Sequence, residues 1–343
     1  MKKILLFLII IIALIGSLYG YLIYKKINSP NVIINKTDNK HLYIPTGTNF
    51  EELVLIIKSK GIVIDIESFR WIAEKKKYIN KVKPGKYKLK NGMSNNEFVN
   101  LLRSGEQEPV KVTFNNVRTI EQLAGRVAVN LETDSLQINE LLKNSEFVKK
   151  YGFNKNTIIS LFIPNTYEFY WNTSAKEFVA RMAIEYKKFW NNSRKTKAKK
   201  LHLSQSEVAT LASIVQQETI KSDEKPRVAG VYINRLRKGI PLQADPTVIY
   251  AVGDFSIKRV LRKHLKYNSP YNTYIHKGLP PGPICIPNQS SIDAVLNYEH
   301  HKYIYFCAKE DFSGYHNFAT TLSQHNANAR KYRRALNKRR IYK

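Results

Sequence analysis

The order of apolar and polar positions divides this chain into stretches of different period. Ile4–Tyr24 is apolar without a single charge, long enough to cross a bilayer, which takes about 20 such residues. The run exceeds the apolar core of a cleaved signal peptide, and no small-x-small cleavage site follows it, so an uncleaved anchor is the better reading. Lys25–Lys40 is polar, contains a Ser-Pro pair and reads as a linker. His41–Glu108 reads as a small α+β module. A strand starts at Tyr43–Ile44, helices cover Asn49–Lys60 and Ile66–Lys76, and Gly85–Leu89 is strand-like. A capping box, Ser94-x-x-Glu97, then opens a helix ending near Gly105. Val110–Phe114 alternates as a strand does, Thr119-x-x-Gln122 caps a helix, and Asp134–Lys149 is helical in pattern.

The helical period dominates the remainder. Ser174-x-x-Glu177 opens a long amphipathic helix with Phe178, Met182, Ala183, Tyr186 and Phe189–Trp190 on one face, which reads as core. Asn191–Lys200 is a basic connector. A third capping box, Ser204-x-x-Glu207, opens a helix in which Val208, Leu211, Ala212, Ile214 and Val215 form an apolar stripe. Arg227–Lys238 is a second amphipathic helix, with Gly239 as its stop signal. No internal repeat is visible. The fold class predicted is α+β: one transmembrane helix, a small α+β module, and a larger, mostly helical domain over residues 109–343.

One acid breaks this pattern. Glu218 follows Leu211, Ile214 and Val215 at helical spacing, so it falls on the apolar stripe. Burial disfavours a carboxylate and raises its pKa. A carboxyl that holds its proton near neutral pH is what cleavage of a glycosidic bond requires. The plainer alternative is that Glu218 ends its helix in water or against a basic partner. Four later segments are rich in Pro, Gly, Tyr, Asn and Gln: IPLQADPTVIYA from Ile240, SPYNTY from Ser269, GLPPGPI from Gly278 and GYHNF from Gly314. These resist helix and central strand, and their rings and amides suit a sugar groove.

Taken in order, SIVQQET, RVAGVYINRL, IPLQADPTVIYA, SPYNTY, GLPPGPI and HNF resemble the endolytic murein transglycosylases, a YceG-like family. The match runs along roughly Lys111–Arg334, and the upstream module resembles the family's LysM-like subdomain. The resemblance makes Glu218 the catalytic glutamate, acting as acid and then as base. It implies a bound peptidoglycan glycan strand, with Gln243, Asp245, Tyr271, Asn272, Tyr274 and Asn317 as candidates for positioning it. It implies no cofactor and no metal, and makes peptidoglycan synthases candidate partners. Residues 1–3 would be a cytoplasmic tail, and the large domain would face the wall outside the cell membrane. The chain departs from the family pattern at Gln216–Gln217, where charged residues are expected, and at Asn165 in LFIPNTY, where an acid is expected. A non-catalytic wall-binding scaffold is the alternative, since it would use the same groove and anchor.

Charge and composition narrow this further. The 343 residues carry a net charge of +29, and 43% are hydrophobic, which excludes a disordered chain. The field attracts polyanions. The densest run is Arg330–Lys343, read as a basic C-terminal helix near lipid headgroups; no nucleic-acid-binding signature accompanies it. Of the other carboxylates near Glu218, Asp223 and Glu224 sit in a polar turn and read as solvated, whereas Asp245 is a candidate second carboxylate. Two cysteines, Cys285 and Cys307, and eight scattered histidines show no metal-ligand spacing. Both cysteines read as buried thiols, Cys307 in an apolar strand over Tyr303–Ala308.

Overall fold

The computed structural model describes residues 2–34 and 40–339. It divides into two compact units, one formed mainly by the first 111 residues and one mainly by the rest. The first unit contains α1 (Lys2–Asn28), β1 (His41–Ile44), α2 (Phe50–Ser59), α3 (Ile66–Lys75), β2 (Gly85–Lys88) and α4 (Asn95–Ser104). Helix α1 is long and apolar enough to cross a membrane; none of its residues is fully buried, and Ile27 near its end packs partly buried on the core. Strands β1 and β2 pair antiparallel, with His41 opposite Lys88 and Ile44 opposite Gly85. Leu42, Leu53, Phe69, Tyr87, Phe98 and Leu102 form the core beneath them. The segment read as a linker is structured where it is described. Lys25–Asn28 are the last turn of α1, Pro30 and Val32 bridge to Ser94 and Val63, and Val32 is a core residue. Residues 35–39 of that stretch lie outside the described residues.

The chain continues with β3 (Val110–Phe114), α5 (Ile120–Ala128), α6 (Ser135–Lys143), α7 (Ser145–Lys149), a 3-10 turn (Ile158–Leu161), β4 (Asn165–Phe169) and α8 (Ala175–Phe189). Then come α9 (Asn192–Lys200), α10 (Gln205–Glu218), α11 (Lys225–Arg237), α12 (Asp245–Val252), α13 (Arg262–Leu265), α14 (Gln289–Leu296), β5 (Tyr305–Ala308), β6 (His316–Ala319) and α15 (Leu322–Lys338). Strands β3 and β4 pair, as do β5 and β6. The predicted helix over Asp134–Lys149 is broken, because the Asn144 side chain accepts the N–H of Phe147 and starts a second helix. The basic connector Asn191–Lys200 is itself a helix, α9, capped by Asn191 through the N–H of Arg194. Residues 340–343 of the basic tail lie outside the described residues.

Helix α10 is the centre of the larger unit. Every residue from Val208 to Val215 is buried, so α10 presents no single stripe; it is enclosed on all sides, chiefly by α11 and α14. The segment GLPPGPI and its continuation run along it rather than lining a groove. Gly282 admits no side chain, since a Cβ there would lie 2.0 Å from the Asn156 carbonyl oxygen. Beyond it the Ile284 N–H donates to Ser213 Oγ at 3.0 Å, and Ile284, Cys285 and Ile286 are buried. Gln216 Oε1 accepts the Asn288 N–H at 2.6 Å, and Gln217 Oε1 accepts from Arg118 at 3.2 Å. The two glutamines that depart from the family pattern therefore both hold this segment, Gln216 through its carbonyl on Asn288 and Gln217 through its amide N–H on Cys285 Sγ at 3.5 Å. Both cysteines are free; Cys285 is buried, whereas Cys307, expected to be buried too, is partly exposed.

Candidate functional site

Glu218 is the last residue of α10, and Thr219 is the C-cap. The chain breaks out of the helix there, so the carboxyl leaves a buried element at the helix's carbonyl end, where negative charge is unfavourable. It opens onto a cavity of about 260 Å³. Tyr232 of α11, itself buried, donates its hydroxyl to Glu218 Oε1 at 2.7 Å. Among the described residues no lysine, arginine or histidine lies within ion-pair distance of Glu218. Desolvation pushes the Glu218 carboxyl up to about 7; the Tyr232 hydrogen bond opposes the rise, and the charge of Asp245 adds to it. The residue is partly accessible from the cavity, so a ligand can reach its proton.

Several elements build the rest of the cavity. Helix α11 contributes Val231, Tyr232 and Arg235, and the loop before α12 contributes Leu242, Gln243 and Asp245. Tyr274 comes from the SPYNTY loop, Ile304, Tyr305 and Phe306 from β5 and the residue before it, and His325 from α15. Tyr274 donates to Asp245 Oδ1 at 2.6 Å. Gln243 adopts a left-handed backbone (φ 53°), unusual for a residue with a side chain. Its N–H bonds to the Thr273 carbonyl at 3.0 Å, and its Oε1 accepts from Arg235 at 2.7 Å. Arg235 is buried, and its other donors go to the carbonyls of Pro241 and Ile304. The guanidinium thus ties α11, the Gln243 loop and the approach to β5 into one wall.

The expected site residues divide. Glu218, Gln243, Asp245 and Tyr274 line one cavity. Tyr271, Asn272 and Asn317 do not. Tyr271 packs on Tyr250, with ring centroids 4.8 Å apart. Asn272 is fully buried and braces its own loop, donating to the carbonyls of Leu265 and Tyr267 and accepting the N–H of Tyr274. Asn317 lies on β6 and donates to Glu310; the HNF segment, expected to be a loop, is thus strand. Glu224 also departs from expectation. It is buried rather than solvated, accepting the His316 N–H at 2.8 Å and the Thr219 hydroxyl at 3.1 Å, with the His316 ring at 2.7 Å. Asp223 remains exposed and accepts from Tyr315. Asn165 opens β4 and binds the Thr166 N–H, so LFIPNTY ends in a strand.

Sequence reasoning did not select Tyr232, Arg235, Tyr305, Phe306 or His325 for the site. The first two were legible only as a core face of α11, and the others required knowing where β5 and α15 fold. A second cavity of about 280 Å³ lies beside the end of α1 and includes Asp65. That carboxylate already caps α3 through the N–H groups of Glu67 and Ser68, whereas Glu218 accepts a single hydroxyl, that of Tyr232.

The sequence pattern of the YceG-like family matches residues 42–331, and the chain belongs to that family. An endolytic murein transglycosylase of Bacillus subtilis is 30% identical over 307 residues, covering 85% of this chain and 84% of the relative. One from Streptococcus pneumoniae is 26% identical over 321 residues, covering 84% of this chain; the chain spans 58% of that relative's length. The crystal structure of a YceG-like protein of Listeria monocytogenes superposes with a TM-score of 0.57 at 28% identity, over 84% of this chain and 97% of the other.

Proposed function

We propose that this protein is a membrane-anchored lytic transglycosylase that cleaves the glycan strands of peptidoglycan. The observation that carries the proposal is the Glu218 carboxyl, raised to about 7 inside a ring-lined cavity. A general acid–base group works best with a pKa near the operating pH. Glu218 donates its proton to the glycosidic oxygen as the bond from that oxygen to C1 breaks. The resulting carboxylate takes the proton of the same sugar's C6 hydroxyl, whose oxygen closes on C1. The products are a free hydroxyl on one fragment and a 1,6-anhydro end on the other, with no water consumed and Glu218 reprotonated. The absence of an ion-pair partner for Glu218 among the described residues suits this cycle, because a fixed positive partner would hold the carboxylate ionised. Gln243, Asp245 and Tyr274 position the strand, and Tyr232 orients the acid. The similarity to endolytic murein transglycosylases supports the same reading.

Helix α1 anchors the protein, the larger unit lies outside the cell membrane, and the membrane-proximal module contributes LysM-like glycan contact. Peptidoglycan synthases working on the same strands are the expected partners. A reporter fused after Lys343 should be active only outside the cytoplasm; cytoplasmic activity would contradict this topology. The chemistry is tested by mass spectrometry of murein digested by the full chain. Glu218→Gln keeps the shape but loses the proton, and should lower release of anhydro ends by about 10²–10⁴-fold. Undiminished release would refute the mechanism, and intact glycan from the wild-type protein would indicate a binding scaffold instead.

A further inference from the structure

Helix α1 does not pass directly into a free linker. The Ser29 N–H bonds back to the Lys25 carbonyl at 2.9 Å, and the N–H groups of Asn31 and Val32 both meet the Met93 carbonyl. Asn95 of α4 donates to the Lys26 carbonyl at 3.1 Å. The end of α1 is thus tied to the small module, and the 280 Å³ cavity beside it sits at a fixed height along the helix. That height is the border of the apolar run. Leu22, which lines the cavity, still belongs to the run, whereas Lys25 and Lys26 follow its last residue, Tyr24. With α1 across a bilayer, the cavity opens where acyl chains give way to headgroups. Trp71, next to Lys26, suits that level. The Nζ atoms of Lys26 and Lys75 lie 5.0 and 5.8 Å from its ring centroid.

The lining selects an occupant. Asn31, Ser68 and Asn95 are buried and committed to one another, Asn31 donating to Asn95 at 2.7 Å and Asn95 to Ser68 at 2.8 Å. Asp65, the acid of the lining, gives Oδ1 to two N–H groups at the start of α3, where the helix dipole offsets part of its charge. Lys25 and Lys26 are exposed and form no ion pair among the described residues. Two cations against one acid leave the cavity positive. Beside them stand apolar Leu22 and Ile64, the latter 65% exposed. A free anion would use the lysines alone, whereas a phospholipid uses both the charges and the apolar flank. We propose that this cavity binds an anionic phospholipid. Lys25 and Lys26 hold the phosphodiester, the Ser29 hydroxyl adds a donor, and the glycerol stem lies along Leu22 and Ile64. The site belongs to the membrane-proximal module and does not depend on what the Glu218 cavity does.

Native mass spectrometry of the full chain in a neutral detergent tests this, with dioleoyl phosphatidylglycerol and dioleoyl phosphatidylcholine titrated separately. The chain should retain phosphatidylglycerol in preference to phosphatidylcholine, whose choline cation would meet the two lysines. Lys25→Gln with Lys26→Gln should weaken that retention about thirtyfold, the worth of two cations at a lipid surface, and Lys25→Arg with Lys26→Arg should keep it. Ser29→Phe fills the cavity at unchanged charge and should also weaken it. Lys2→Gln with Lys3→Gln removes the same charge at the other end of α1 and should leave it unchanged. Retention that survives in a Ser29→Phe protein of native helix content, or that falls equally with Lys2 and Lys3, would mean general surface attraction and overturn the proposal. Displacement of the lipid by inorganic phosphate, at an ionic strength matched with chloride, would make the occupant a free anion and overturn it too.

Discussion

Glu218 and Glu224 stand six positions apart, at the cavity and in the turn behind it, and their surroundings have opposite effects. Glu224 is buried, and its two oxygens meet a backbone N–H, a hydroxyl and a histidine ring. Glu218 has one hydroxyl donor, no ion-pair partner among the described residues and an open cavity. The turn satisfies its carboxylate and is stabilised by it; the cavity gives the anion of its carboxyl a single donor and so raises its pKa. Thr219 links the two, following Glu218 directly while donating to Glu224. The satisfied acid thus fixes the helix end from which the unsatisfied one projects.

Three substitutions probe this contrast, beginning with the greatest effect. Beyond the rate loss proposed for Glu218→Gln, Glu224→Ala should cost stability rather than chemistry. It strands the groups it bonds, at about 3 kcal/mol, and calorimetry should show a melting temperature lower by roughly 10 °C. A melting temperature that does not move would erase the distinction between the two acids. Asp245→Asn removes a charge that raises the Glu218 pKa. The acid then loses its proton at lower pH, and the alkaline limb of the rate profile moves down. A collapse as deep as that of Glu218→Gln would instead make Asp245 a second catalytic carboxylate, as in a hydrolase. Tyr232→Phe removes the bond that favours the ionised form, so the same limb should move up; a downward shift would contradict the role given to that hydroxyl.

The sequence made local features legible. Ser94 and Ser204 cap their helices with reciprocal bonds to Glu97 and Glu207, as their spacing predicted. The strands at Gly85 and Val110 begin where the pattern placed them. The apolar spacing drew attention to Glu218 through a stripe that does not exist as such, because α10 is buried on every side. The unusual feature of Glu218 is its position at the end of an enclosed helix, which periodicity alone does not distinguish. Long-range contacts were hidden. Glu224 looks solvated until β6 brings His316 to it from 92 residues away. His325 joins the cavity only because α15 packs back on β5. Asn272 shows the reverse: an amide in a polar loop, in keeping with a sugar contact, is consumed by its own turn.

The central claim concerns one proton, and carbon NMR of the side-chain carboxyls in the full chain observes it directly. The resonance that disappears in Glu218→Gln identifies the group. A titration midpoint near pH 7 for that resonance is the predicted result. A midpoint near the ordinary glutamate value of about 4.3 would mean that the cavity does not hold the acid protonated, and the mechanism built on it would fail.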